Sequence, residues 1–358
     1  MKYKIICLLV PLFLLSCSKK PAASNAPTLR QSSPPTTGLP FEPILVEPVE
    51  TKENHDLKSQ AAALLGARDF DKLDALAKSL RDSKECYADG QWKLFHFYNG
   101  LNFPSGATDS EWTKHLAILR DWIKAKPDSI TARVALADGL IQYGWKARGT
   151  GYANTVTDEN LKLLFQRLNE AVTVLNQAAA LKEKCPRWWA VMLAADLGLQ
   201  VPRPKYDATF SAAIQAWPDY NSFYSVRANF LLPRWYGAEG ELEKDLEKSS
   251  DKIGGEAGDM VYAQVVWGLH HLVVDATNIF REYSLSWERT DKGLEAIEKH
   301  YPDSLAVKNE GAHLAMLAHD RPAAKKYFDQ TKGEIDLSEW PSTNVYIRAA
   351  NLVYGDAQ

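Results

Sequence analysis

The chain is predicted to be all-α, and three observations carry that prediction. Apolar residues recur at helical spacing along most of its length. No run alternates with period two for long, and no Asn-Gly or Asp-Gly turn lies between β-branched stretches. From residue 111, Trp112, Leu116, Leu119 and Trp122 or Ile123 form one apolar stripe, with Thr108 and Glu111 spaced as a capping box ahead of it. A second stripe runs through Leu161, Leu164, Phe165, Leu168, Val172, Leu175 and Ala179 in a long helix opening near 160. A third takes in Tyr262, Val265, Val266, Leu269 and Val273. Trp92, Trp112, Trp122 and Trp267 lie on such stripes and are expected in the core.

The helices recur with a shared punctuation. "KPDSITARVALADG" from 126, "WPDYNSFYSVRANF" from 217 and "YPDSLAVKNEGAHL" from 301 each place an alanine ten residues beyond the proline, at Ala137, Ala228 and Ala312. That spacing resembles the tetratricopeptide repeat, in which a proline closes one helical hairpin and a small residue lets the next pair pack closely. In the last copy Ala312, Ala324 and Phe328 keep the small, small, large order, with Asp320 and Pro322 as N-cap and first residue of the second helix. Ala63 and Ala75 keep the first spacing, with Ser79 at the aromatic position. Pro127, Pro218 and Pro302 are not separated by multiples of about 34 residues. The resemblance therefore implies tetratricopeptide-like helical-hairpin repeats forming a right-handed superhelix, degenerate and interrupted by loops.

The segment 130–275 carries a second resemblance. "RGTGYANTV" at 148–156, "RWWAVML" at 187–193, "LLPRWYG" at 231–237 and "GGEAGDMVYAQVVW" at 254–267 are similar in order to an uncharacterised bacterial family, a domain of unknown function with tetratricopeptide-like helices. Pro-Arg-Trp-x-Gly is its most specific piece. The resemblance implies a fold and no reaction.

The N-terminus supplies an address. "MKYKIICLLVPLFLLSCSKK" has a basic start and an apolar core too short to span a bilayer. "LLSC" resembles the lipobox of bacterial lipoproteins, which implies a signal peptide over 1–16 and a Cys17 that becomes the lipidated, palmitate-bearing N-terminus. Ser18 in place of Asp favours the outer membrane by the same resemblance. Residues 18–54 hold seven prolines and one aromatic residue, Phe41. Such a stretch buries too little apolar surface to offset its ordering entropy, so 17–54 is expected to be a disordered tether and 55–358 the helical domain. "FEPILVEPVE" at 41–50 is apolar enough to dock as an extended arm. The lipid is then the only membrane attachment. The formal net charge is −3, and loss of Lys2 and Lys4 with the leader makes the mature chain more acidic. With no Lys/Arg block, nucleic acid is not an expected partner.

The search for chemistry returns mostly structural residues. Cys86 and Cys185 occur in similar contexts, "SKECYADG" and "KEKCPRWW", and are either a disulfide or two separate buried thiols. There is no Cys-x-x-Cys and no His-Glu-x-x-His. Glu310 and His313 make a single Glu-x-x-His, a unit that di-iron bundles need twice. Adjacent His270 and His271 are expected on different faces of one helix, unable to serve a single site, so neither metal nor cofactor is expected. Ser249 and Lys252 lack the partners of an acylating serine, and "GTGYAN" follows a helix where a dinucleotide loop would follow a strand. No residue is assigned a catalytic role.

The stretch "LLPRWYG" has two readings. Pro233 breaks a helix begun at Tyr220 and Gly237 permits the turn, which makes a joint between hairpins with Arg234 capping carbonyls. Alternatively Arg234, Trp235 and Tyr236 join Arg148, Tyr152 and Asn154 in a groove for an anionic or sugar-like ligand. The leading expectation is an envelope scaffold, not an enzyme, that binds a protein or peptide. The alternative is a helical carbohydrate-active enzyme or glycan binder using Trp-rich loops, with Glu239, Glu241, Glu256 and Asp259 as the acids nearest Trp235 in sequence.

Overall fold

Sixteen helices and one two-stranded sheet make up the described residues of the computed structural model, which are 38–149, 156–273 and 278–355. The class is all-α, as the periodicity predicts. In chain order come β1 (Ile44–Leu45), α1 (Val49–Gly66), α2 (Phe70–Ser83), α3 (Lys93–Gly100), α4 (Asp109–Ala125) and α5 (Ile130–Arg148). Next are α6 (Asp158–Ala179), α7 (Pro186–Gly198), α8 (Arg203–Ala216), α9 (Ser222–Phe230) and α10 (Glu241–Ile253). The last are α11 (Gly255–Leu272), α12 (Ile279–Glu282), α13 (Trp287–His300), α14 (Leu305–Leu317), α15 (Arg321–Thr331), β2 (Glu334–Ile335) and α16 (Thr343–Tyr354). They fall into two compact units. The first holds Glu53–Tyr87 and Gln91–Leu246; the second holds 38–52, Ala88–Gly90 and 247–355.

The proline punctuation has one physical cause in all three copies. A residue before proline is driven out of the α region. Accordingly Lys126, Trp217 and Tyr301 end α4, α8 and α13 at φ, ψ of −128°, 74°; −142°, 71°; and −134°, 67°. In each turn the residue three positions on donates its N–H to that residue's carbonyl, from Ser129, Tyr220 and Ser304. Ser129 and Ser304 then cap the next helix, accepting from Ala132 N and Val307 N. Ala137, Ala228 and Ala312 are buried behind these turns, as are Ala324 and Phe328. Gly311 lies so close to the Tyr327 ring that a Cβ would meet it at 2.6 Å.

Several sequence expectations shift in detail. The Thr108–Glu111 capping box is formed. Asp320 caps Ala323 N, but Pro322 is the second residue of α15 rather than the first. In α6 the buried stripe is Leu164, Leu168, Ala171, Val174, Leu175 and Ala178, because this helix packs against both α5 and α7, and Ala179 is exposed. Ala63 and Ala75 are exposed; the buried alanines are Ala61 and Ala77, Ala61 lying against Gly100 of α3. Trp92 is buried as the N-cap of α3, not on a helical stripe, and donates to the Asp219 carbonyl at 3.1 Å.

The first unit is organised around a buried ion pair. Arg187 Nη2 lies 2.7 Å from Asp138 Oδ2, the arginine is 1% exposed, and Gln142 Nε2 also donates to Asp138. Arg227, itself buried, bridges the part-exposed Asp207 and Asp245.

In the second unit the apolar arm docks. β1 pairs in parallel with β2, Ile44 opposite Glu334 and Leu45 opposite Ile335, and Phe41 meets the rings of Tyr346 and Tyr354. Gly333, at φ +88°, leaves no room for a Cβ, which would sit 2.4 Å from the Glu42 carbonyl. Glu50 Oε1 accepts from Ser304 Oγ and Ala306 N at 2.9 and 3.1 Å, a carboxylate at the positive end of α14. Order therefore begins earlier than the expected boundary at 55, since α1 starts at Val49. No helix of the described residues is long and apolar enough to cross a membrane.

Candidate functional site

Two places collect candidate functional side chains, one in each unit. In the first unit, α5 ends at Arg148, whose guanidinium stands 5.8 Å from the Trp145 ring centre. Trp145 meets Trp235 edge-on at 5.7 Å and 73°. The last turn of α5 and the loop after α9 thus meet through Trp145 and Trp235. Tyr152 and Asn154 lie outside the described residues, as does Cys17.

The loop "LLPRWYG" is also a joint. α9 stops at Phe230, three residues before Pro233, and Leu231 and Leu232 are fully buried. Tyr236 N and Gly237 N return to the carbonyls of Phe230 and Leu232. A Cβ at Gly237 would fall 1.7 Å from the Leu231 carbonyl oxygen, so no other residue fits there. Tyr236 stacks on Phe230 and donates its hydroxyl hydrogen to the Leu197 carbonyl at 3.2 Å, although 38% of it stays exposed. Tyr236 and Gly237 hold the joint, Trp235 faces Trp145, and Arg234 is half-buried beside them.

Cys86 and Cys185 are not bridged. Cys185 Sγ lies 3.4 Å from the buried Tyr98 hydroxyl, and Cys86 Sγ is directed at the Lys84 carbonyl, so the two sulfurs have different neighbours. The acids near Trp235 in sequence are engaged elsewhere: Glu241 with Arg203 at 2.6 Å in the first unit, Asp259 with Arg289 and Glu256 with Lys299 in the second.

The second place is a cluster of three histidines and two glutamates inside the second unit. Glu310, on α14, is 0% exposed. His270 Nδ1 lies 2.8 Å from its Oε1, and His271 Nε2 lies 3.6 Å from its Oε2 and 2.8 Å from Glu339 Oε2. The adjacent histidines thus both approach one carboxylate, although they fall in separate trios of potential metal ligands. His270 uses the ring nitrogen nearer its backbone, within hydrogen-bond reach of Oε1, and His271 the farther one, which faces Oε2 at 3.6 Å without a hydrogen bond. His313, one turn beyond Glu310, donates Nδ1–H to the Glu339 carbonyl at 2.8 Å and stacks on Trp340 at 4.4 Å. Trp267 Nε1–H donates to Glu339 Oε2 at 2.8 Å and lies 3.1 Å from His271 Nε2.

A buried amide fixes the scaffold. Asn309, beside Glu310, gives its Nδ2–H to the Leu305 and Glu334 carbonyls, while its Oδ1 accepts from Trp340 Nε1 and Asp336 N. The segment carrying Glu339 is thereby pinned to the helix carrying Glu310. Burial alone would raise the Glu310 carboxyl, but the imidazoles of His270 and His271 outweigh it and hold the group well below the carboxylate range. Burial likewise opposes charge on His271, yet Glu339 and Glu310 raise it well above an ordinary histidine. Burial dominates at His313, which falls to about 4 despite Glu310, and at Asp336, pushed up to about 7 with Glu339 adding repulsion.

One donor atom each from His270, Glu310 and His313 lie within 4.8 Å of one another, and so do those of His271, Glu310 and Glu339. No family model, no curated protein and no solved structure matches this chain.

Proposed function

We propose that the protein is a lipid-tethered scaffold of the bacterial envelope, built of tetratricopeptide-like hairpins in superhelical array, which binds a protein or peptide partner in the first unit. The observation that carries this reading is the meeting of Trp145, with Arg148 beside it in the last turn of α5, and Trp235 from the loop after α9. Arginine and large aromatics dominate protein interfaces because they combine apolar area with directional donors at low entropic cost. Trp235 Nε1–H is buried without an acceptor among the described residues, and a peptide carbonyl or carboxylate would supply one. The lipobox-like leader and the Pro-rich stretch ahead of residue 38 support a surface held at a distance from its lipid, on a tether of roughly 25 Å by chain statistics.

The test is cross-linked co-purification from native envelopes with the intact protein and with Trp145→Ala and Arg148→Glu, each variant checked for helical content. A partner recovered with the intact protein and lost from both folded variants is expected. An identical partner set in all three preparations overturns the reading. So does glycan-array binding that the same substitutions abolish, which would transfer the surface to the carbohydrate class.

A further inference from the structure

We propose that His270, Glu310 and His313 of the second unit bind one divalent transition-metal ion of the zinc class. The inference is independent of the partner surface and rests on four features of the cluster.

Two imidazoles and one carboxylate are a donor set suited to zinc and its first-row neighbours; calcium and magnesium take oxygen ligands. Glu310 and His313 stand three residues apart on α14, hence on one face, and His270 comes from the last turn of α11. A tetrahedral ion with bonds of about 2.0–2.1 Å holds its donors about 3.3 Å apart. The donor atoms already lie within 4.8 Å of one another, close to that spacing.

The second feature is the His313 tautomer. A backbone carbonyl can only accept, so the Nδ1 contact with the Glu339 carbonyl puts the ring proton on Nδ1 and leaves Nε2 with its lone pair. A second-shell carbonyl that orients a ring in this way is the usual companion of a metal-bound histidine. At His270 the ion takes the place of the proton that Nδ1 shares with Glu310, and the remaining ring proton then sits on Nε2.

Third, Glu310 is a fully buried carboxylate whose Oε2 has no hydrogen-bond partner among the described residues. An oxygen left without a hydrogen bond in the interior is costly, and a coordinated cation would satisfy it directly. His271 Nε2 stands 3.6 Å away, beyond hydrogen-bond reach.

Fourth, the alternative trio of His271, Glu310 and Glu339 already contains a donor. The Trp267 indole N–H points at Glu339 Oε2 and lies 3.1 Å from His271 Nε2. A metal ion there would face the positive end of that N–H, so the ion belongs with His270 and His313. Three protein donors leave it a fourth position for water or another ligand.

The test strips the full-length protein with a chelator and titrates it with Zn²⁺ against a chromophoric competitor. One equivalent is expected to bind. His270→Gln and His313→Gln, with helical content retained, should each weaken binding at least about 100-fold, and His271→Gln should weaken it less than either. X-ray absorption of the zinc-loaded intact protein needs no variant and should show two imidazoles at about 2.0–2.1 Å. Absence of stoichiometric binding overturns the assignment. It also fails if His271→Gln is the most damaging variant, or if the absorption spectrum holds fewer than two imidazoles.

Discussion

At the scale of single residues, the charged groups inside the first unit do the most to specify it. Arg187 and Asp138 are both removed from water, and the charge of each is compensated by the other at 2.7 Å. Removing one partner from such a pair costs about 3–5 kcal/mol, since the survivor stays buried and uncompensated, whereas replacing both with apolar groups of similar volume is often neutral. Asp138→Ala should therefore lower the unfolding free energy by that amount, while Asp138→Leu combined with Arg187→Met should restore most of it; a denaturant titration of the three proteins checks this. Little of this pair is legible in the sequence. Asp138 falls inside a helical pattern beside Ala137, and periodicity registers it only as a polar interruption. The cluster around Glu310 was hidden for a related reason. Helical spacing sets neighbours about 100° apart and so separates His270 from His271. It carries no information on which ring nitrogen each uses, or on a carboxylate seated between them with two oxygens to offer.

At the scale of elements, the sequence was most informative where local chemistry alone decides the backbone. The pre-proline turns at Lys126, Trp217 and Tyr301 and the Thr108 capping box follow from sterics and hydrogen bonding within a few residues, and both appear as expected. The arm did not yield so readily. β1 and β2 are two residues each, too short for alternation to show, and they exist because residues nearly three hundred positions apart pair. The joint after α9 lies between these cases: Pro233 and Gly237 announce a turn, but the tightness of Gly237 comes from the returning Leu231 carbonyl. That oxygen belongs to the backbone and cannot rotate away from an added Cβ. Gly237→Ala should cost about 1–3 kcal/mol, as overpacking does. For a chain of this length it should lower Tm by at least about 2 °C. Gly66→Ala, at the end of α1 with nothing within 4 Å of the added carbon, should leave Tm unchanged or raise it. Differential scanning calorimetry on the two variants separates a steric joint from a general intolerance of glycine replacement.

At the scale of the whole molecule, acid stability depends on histidines that carry no functional assignment. His115 stacks on Phe103 at 4.6 Å, and burial holds it at about 4; His96 is driven well below its ordinary value by burial first, then by the charges of Lys58 and Arg187. Both are neutral in the folded protein and titrate near 6.5 once exposed. Between those values the unfolded chain binds a proton that the folded chain refuses, so unfolding becomes more favourable as pH falls. The contribution is complete above about 6.5, declines below it, and for His115 is exhausted near 4, the loss over that interval totalling about 3 kcal/mol. The midpoint should therefore fall steadily from pH 7 to pH 4.5. His115→Phe, which keeps an aromatic ring against Phe103 and removes the titrating nitrogen, should flatten that descent without lowering the midpoint equally at pH 7.5. Thermal unfolding of both proteins across this range decides the matter: parallel curves would mean that His115 already binds its proton in the fold, and that acid sensitivity arises in other groups.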